Sequence, residues 1–430
     1  MNIIKSRPRT GKLFPSAGMT RERKCPWQHR QVKAALVLAL LFSVGAASKL
    51  GAVGARLPNQ DPEGIARGDA FAATADNPSA IYYNPAGITQ LEGVQVRAGL
   101  YLISADSSFT SPTGAKAQTD TSFQPVPQLY AVDTLQNLPL SFGLGVYAPY
   151  GLAIDWGDQN PFRTVVERGR LLYACVNPVI AWRIVPTLSV AIGPTINYSQ
   201  ASFKQGFSAI NPNDFFHFKG DDVAFGFNAG IRWEPLPQLA FGVNYRSSTT
   251  EDYHGTTETG PTGPFPYFPE TPTSASIYFP QYVAGGISYR PTKNWNVEFD
   301  LDWTEWSKLK QVVFKGTPLG NLPLVLNYKS SFMYEFGVTR QLGKGYFASV
   351  GYLYSENSSP DQHFNPIIPD ANLQLGSVGV GHRGTRWDWA VGYQFAYNGG
   401  RQVSGNVNPM VDGTYKTFNN AVNISATLKF

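Results

Sequence analysis

From about residue 94 to the C-terminal Phe430 the chain alternates apolar and polar side chains with a period of two, which constrains its fold more than any other feature. Val422, Ile424, Ala426, Leu428 and Phe430 interleave with Asn423, Ser425, Thr427 and Lys429. Trp295, Val297, Phe299, Leu301 and Trp303 are set against Asn294, Asn296, Glu298, Asp300 and Asp302. Successive side chains of a strand point to opposite faces, so these are strands with one greasy and one wet side. About fourteen such stretches are legible, near 94–104, 123–134, 138–149, 169–183, 187–205, 222–234, 238–250, 275–290, 293–306, 328–341, 344–356, 371–383, 387–399 and 415–430. Their connections take turns between tight ones and long ones of about 14 to 24 residues. A soluble sandwich has no reason to sort its loops this way, whereas an outer-membrane barrel has short turns at its periplasmic end and long loops outside. Backbone in lipid must satisfy its own hydrogen bonds, so a sheet that spans a membrane closes on itself. Aromatics at strand ends, among them Tyr289, Trp295, Trp303, Trp306, Tyr328, Tyr346 and Trp387, suit the two interfacial girdles of such a barrel.

Composition agrees. Only 15% of residues are charged, against about 25% in an ordinary soluble domain. The one long apolar run, Ala34 to Ala47, is 14 residues and too short to span a bilayer as a helix. It follows Lys24, Arg30 and Lys33 and precedes small residues from Gly45 to Ala55, the order of a secretory signal, so residues 1–52 read as a cleaved leader. Those residues carry ten of the 35 basic and one of the 30 acidic side chains, so the formal charge of +5 becomes about −4 without them. No basic surface for nucleic acid remains. Cys25 lies in the leader, which leaves Cys175 with no partner for an internal disulfide.

Residues 53–93, ahead of the barrel region 94–430, are small and polar and lack lipid-facing alternation. Ala66, Ala70, Ala72, Ala73 and Ala75 favour helical turns, and Asn77–Pro78 and Asn84–Pro85 break them. The segment reads as a compact plug, because fourteen strands enclose more space than their own side chains fill.

In this segment the chain resembles the FadL-like family of outer-membrane transporters for long-chain fatty acids and other hydrophobic compounds. The likeness rests on Asn84, Pro85, Ala86 and Gly87 within YYNPAGIT, preceded by GIARGDAFAATADNPSAI, and on GFNAGI at Gly226–Ile231, NYRSS at Asn244–Ser248, WTEWS at Trp303–Ser307, IPD at Ile368–Asp370 and the final Phe430. It covers residues 55 to 430. The resemblance implies an all-β fold: a 14-stranded antiparallel transmembrane barrel, monomeric, with an N-terminal hatch in its lumen. It implies passive uptake across a bacterial outer membrane, with capture by extracellular loops and passage by the hatch to a lateral opening. A related expectation is a channel for monoaromatic hydrocarbons; a general diffusion porin or an adhesin is the alternative from another class. The loop at 206–221 is short for the helical pair that forms the family's capture groove. Phe430 resembles the terminal signature read by the barrel-insertion machinery.

Candidate ligand contacts are the loop aromatics Phe207, Phe215, Phe216, Phe218, Phe265, Tyr267 and Phe268, whose exposure to water is costly unless they meet something apolar. Arg97, Arg232 and Arg246 fall on lumen-facing positions, as do Glu298, Asp300 and Asp302. A guanidinium there pairs with a fatty-acid carboxylate or braces the wall and plug against those acids. Outside the leader, His217, His254, His363 and His382 have no metal-ligand spacing, and no G-x-S-x-G elbow, P-loop or HExxH helix occurs. The expectation is therefore a channel without catalytic residues, metal or cofactor, in contact with outer-membrane lipid.

Overall fold

The computed structural model describes residues 55–430 apart from 121–122, 210, 212 and 261–266, so the expected leader lies outside the described residues. The staves of the wall are β1 (Gly93–Thr110), β2 (Gln124–Thr134), β3 (Leu140–Tyr147), β4 (Arg168–Val185), β5 (Leu188–Gln205) and β6 (Phe216–Leu236). Then come β7 (Leu239–Arg246 continuing as Thr249–Thr259), β8 (Phe268–Phe279 continuing as Tyr282–Thr292), β9 (Trp295–Thr304) and β10 (Ser331–Gly343). The last four are β11 (Tyr346–Ser355), β12 (Leu373–Arg383), β13 (Trp387–Tyr397) and β14 (Gly413–Lys429). Each is antiparallel to its neighbours, and β1 pairs with β2 on one side and with β14 on the other, from Gln95↔Lys429 to Thr110↔Thr414. The result is a closed 14-strand antiparallel barrel; its staves occupy the stretches the alternation marks, and several run further toward the long loops, β1 to Thr110, β6 from Phe216, β7 to Thr259 and β8 from Phe268.

The pleat sorts the side chains. Phe225, Phe227, Ile231, Ile192, Phe299 and Val350 stand exposed on the outer face, and Arg97, Asn177, Asn228, Asn244, Asp300 and Asn423 are buried on the inner one. Trp182, Trp233, Tyr289, Trp295, Tyr346 and Trp387 are exposed beside the short turns, which makes them one girdle. Trp306 and Tyr328 correct the expectation: both are buried beneath the long loops, 6.1 Å apart ring to ring, and belong to the interior.

One stave is broken. The ladder between β2 and β3 runs only from Leu129↔Val146 to Thr134↔Ser141, and after Tyr147 the chain leaves the sheet at Ala148–Gly151. It returns as Leu152–Asp155, which among the described residues pairs with β4, while the Asp155 carbonyl accepts from Asp120 N–H at 3.0 Å. Pro149 at the break and Pro125 and Pro127 in β2 bring no N–H to a ladder, the chemistry of a sheet edge.

Candidate functional site

Residues 55–92 lie inside the ring, since inward side chains from staves all round it reach them. Two short helices, α1 (Pro62–Ile65) and α2 (Ala80–Tyr83), and a 3-10 turn at Pro85–Gln90 give the segment its shape. Asp61 caps α1, accepting from Glu63 N–H at 3.0 Å with Pro62 in the first turn. Asn84 caps the 3-10 turn: its Oδ1 accepts from Ala86 N–H at 3.2 Å, and its Nδ2 donates to the carbonyls of Ala72 at 2.8 Å and Ile231 at 3.0 Å. Asn84, Pro85, Ala86 and Gly87 are thus a buried joint between segment and wall. Room for it is cut by glycines, since a Cβ on Gly230 would lie 2.3 Å from Asn84 Oδ1 and one on Gly87 would lie 2.3 Å from the Ala75 carbonyl.

Charge fixes the seat. On the inner face of β9, Asp300 Oδ2 accepts from Phe71 N–H at 2.8 Å and Ala72 N–H at 2.7 Å, and Glu298 Oε1 accepts from Ala73 and Thr74 N–H. Arg56 pairs with Asp302 through two bonds of 2.6 Å. Across the lumen Arg97 of β1 holds Asp61 at 2.6 Å and Glu63 at 3.1 Å, and Arg383 of β12 holds Glu63 at 2.7 Å and Asp76 at 2.8 Å. Buried charges are costly alone but tolerable when paired and hydrogen-bonded. Asp69, in the turn Gly68–Asp69 with φ of 63° and 66°, accepts from Asn59 at 2.6 Å and from Tyr83 Oη at 3.1 Å. Burial, outweighing those bonds and the Arg56 charge, pushes its carboxyl up to about 7, with Asp302 and Asp61 adding in the same direction.

The segment also mends the broken stave. Leu57 N–H donates to the Pro149 carbonyl at 2.8 Å, Gly151 N–H to the Ala55 carbonyl at 2.8 Å, and Gln60 Nε2 to the Ala148 carbonyl at 2.8 Å.

Above the segment, toward the long loops, lies an apolar chamber. Leu171, Phe203, Phe218 and Phe279 line it from the wall, and Trp306, Leu309, Val312, Phe314, Leu324 and Leu326 from the loop between β9 and β10, with Arg170 at its margin. That loop, read from sequence as a plain connection, contains a hairpin of Gln311–Thr317 and Gly320–Val325. Phe314 stacks on Phe203 at 5.5 Å and meets Phe216 at 5.5 Å and Phe218 at 5.0 Å.

The expected aromatics therefore divide. Phe216 and Phe218 belong to β6, which begins earlier than the alternation suggested, and face the chamber cluster. Phe207 packs partly against that cluster, and Phe215 lies under the Lys204 ammonium at 4.9 Å. Tyr267 is 53% exposed, away from the chamber's buried core; Phe268 begins β8, half-buried; Phe265 lies outside the described residues. Trp306, Leu309 and Phe314 were missed as chamber residues, although Val312, Phe314, Leu322 and Leu324 carry a short alternating signal around Gly316 and Gly320.

The three arginines divide too. Arg97 is consumed by the seat, and Arg232 pairs with Glu234 at 2.5 Å and donates to the Ala73 carbonyl at 2.9 Å. Arg246 is buried with no carboxylate in ion-pair range among the described residues. Its guanidinium donates to Tyr282 Oη at 3.3 Å, to Cys175 Sγ at 3.6 Å and to Tyr147 Oη, and lies 5.2 Å from the Tyr147 ring centre. Between this spot and the chamber, Tyr150 donates to the Pro280 carbonyl at 2.9 Å, two residues before Tyr282, and packs 4.9 Å from Phe279 and 5.1 Å from Tyr173.

Residues 43–429 match the family described as outer membrane protein transport protein (OMPP1/FadL/TodX). The chain belongs to this family. It is accordingly an outer-membrane β-barrel of a transport family rather than an enzyme family. Relatives of this FadL/TodX-family chain include a long-chain fatty acid transport protein of Escherichia coli O6:H1, 22% identical over 72% of this chain and 78% of the relative. A 47 kDa outer membrane protein of Pasteurella multocida is 24% identical over 81% and 87%. Among solved structures, a Pseudomonas aeruginosa FadL homologue superposes with a TM-score of 0.78 at 16% identity, covering 88% of this chain and all of that one. The Pseudomonas putida toluene transporter TodX superposes at 0.69 and 15% identity, covering 89% and 99%. At such identity these structures speak for the fold.

Proposed function

We propose that this barrel takes up long-chain fatty acids or closely related anionic amphiphiles passively across the outer membrane, with residues 55–92 serving as its hatch. The observation that carries the reading is Arg246, a buried cation with no acid in ion-pair range among the described residues, one aromatic layer from an apolar chamber. The chamber accepts a hydrocarbon tail, and a carboxylate gains charge-assisted bonds from the guanidinium while relieving its lack of a counter-charge. The break at Ala148–Gly151 is the lateral exit, because β2 and β3 part there and the N-terminal segment bridges the break from within. The cycle needs no cofactor. Phe430, whose N–H donates to the Val94 carbonyl at 2.9 Å at the barrel seam, remains the proposed signal for insertion, and the closed ring suits a monomer.

A second reading is a neutral monoaromatic cargo, supported by the chamber's almost wholly apolar walls and by the named cargo of the toluene transporters of this fold. One experiment separates them. In liposomes holding the purified chain, labelled oleate is expected to accumulate faster than in protein-free vesicles, and Arg246→Met to slow it about tenfold, the worth of one charge-assisted pair, with toluene entry unchanged. Equal loss for both cargoes, or toluene entry without oleate entry, rejects the carboxylate reading.

A further inference from the structure

The outer face of β4, β5 and β6 changes chemistry abruptly on the way to the long loops. Its apolar ladder, with Ile180, Ile196, Tyr198, Val223 and Phe225 exposed, gives way to Arg170 and Arg168 on β4, Gln200, Ser202 and Lys204 on β5, and Asp221, Lys219 and His217 on β6. Register aligns them in two rows that continue onto β7: Arg170↔Ser202↔Lys219↔Thr256, and above it Arg168↔Lys204↔His217↔Glu258. Neighbouring strands lie about 4.8 Å apart, so four cations share a patch roughly 10 Å wide. Arg168 and Lys204 are direct cross-strand partners, an arrangement that destabilises a sheet unless negative charge intervenes. Protein supplies some of it: Asp155 lies 2.8 Å from Arg168, and Glu167 lies 3.1 Å from Lys204. Lys219 is exposed and has no carboxylate within ion-pair distance among the described residues. On the lipid side of the first row, between it and the next outward-facing row Leu172↔Gln200↔Asp221, runs a groove of about 420 Å³ of mixed lining, bordered by Arg170, Gln200, Ser202, Lys219, Asp221 and Thr256, with Arg168 and Lys204 one row above it. At the same end the far side of the barrel is different, presenting Tyr334, Tyr352 and Glu356.

Position selects the occupant. The groove faces away from the lumen and begins where the lipid-facing ladder stops, at the long-loop end, so it stands in the head-group layer of the outer leaflet. We infer that it seats a phosphorylated glycolipid of that leaflet, with one phosphate between Arg170 and Lys219 and a second against Arg168 and Lys204. Arginine and lysine are the usual phosphate partners. Gln200, Ser202 and Thr256 offer hydrogen bonds to sugar and phosphate oxygens, Asp221 accepts from a sugar hydroxyl, and the acyl chains continue down Tyr198, Val223 and Phe225.

The test is native mass spectrometry of the full mature chain in detergent, titrated with bisphosphorylated lipid A, its dephosphorylated analogue and inorganic phosphate. One lipid A is expected to stay bound, with affinity falling about fivefold for each cation removed. Arg168→Gln/Lys204→Gln/Lys219→Gln then loses roughly a hundredfold, and the dephosphorylated analogue binds as weakly. All three side chains point outward, and hydrophobe uptake in liposomes serves as the control for folding. Should the triple variant fail to insert, Lys219→Gln alone is read against the fivefold expectation. Unchanged affinity in the inserted variants, equal binding of the dephosphorylated lipid, or displacement of the lipid by millimolar inorganic phosphate overturns the proposal.

Discussion

Two regions buried inside the same ring are made of opposite materials. The seat of residues 55–92 is a lattice of paired charges, with Arg56 on Asp302, Arg97 on Asp61 and Glu63, Arg383 on Glu63 and Asp76, and backbone N–H groups on Glu298 and Asp300. The chamber above it is almost entirely hydrocarbon. Directional bonds demand one geometry and fail sharply when a partner is lost, whereas dispersion and burial tolerate many shapes and weaken gradually. The first suits a part that must sit in one place, the second a part that must accept a guest.

The comparison breaks most visibly at Arg97. Arg97→Met leaves Asp61 and much of Glu63 buried without their cation, a loss of about 3–5 kcal/mol for a broken buried pair. The barrel, held by its own ladders, is expected to stay folded while the segment leaves its seat, so planar-bilayer recordings should show a water-filled conductance absent in the parent chain. A silent bilayer would mean that the seat does not depend on charge. The same lattice makes seating sensitive to pH through Asp69. Its carboxyl is raised by burial from about 3.8 to about 7, so the seated state holds a proton that the unseated state releases. Seating is therefore strongest below about pH 4 and weakens by roughly 1.4 kcal/mol per unit as pH rises toward 7, then levels off. Conductance measured from pH 4 to 8 should climb and flatten, and Asp69→Asn should remove the slope; a slope that survives the substitution assigns it to other groups.

The outer architecture was legible because strand alternation is local: each side chain's face follows from its neighbours' positions, and the staves appeared near their final bounds. The inward acids Glu298, Asp300 and Asp302 were legible by the same parity. Their partners were not, because Arg56 meets Asp302 across 246 residues and Phe71 meets Asp300 across 229, and nothing in period-two patterning fixes contacts at that range. Arg97 and Arg246 looked equivalent in sequence, and only the placement of Asp61 and Glu63 distinguishes a spent guanidinium from an uncompensated one. Trp306 read as a girdle residue for the same reason: whether an aromatic near a strand end meets lipid or interior depends on how the loop beyond it folds back.

Phe314 tests the chamber side of the comparison, with the smaller effect. Its ring touches Phe203, Phe216 and Phe218, and it sits in a loop hairpin that meets the wall at Ser274↔Lys315 and takes no part in the β1–β14 ladder that closes the barrel. Phe314→Ala should therefore leave the heat stability of the barrel and the closed conductance as they are. A tail lying against that ring loses about 2 kcal/mol of apolar burial, roughly thirtyfold in affinity, read by competition with a fluorescent fatty acid. Leu at this position restores most of the apolar surface and should recover most of the affinity, because the chamber asks for hydrocarbon rather than for one geometry. That tolerance is what the seat should lack, where Arg97→Lys keeps the charge yet loses the fork that spans Asp61 and Glu63. If the conservative exchange fails in the chamber and succeeds at the seat, the division of labour drawn between the two regions is reversed.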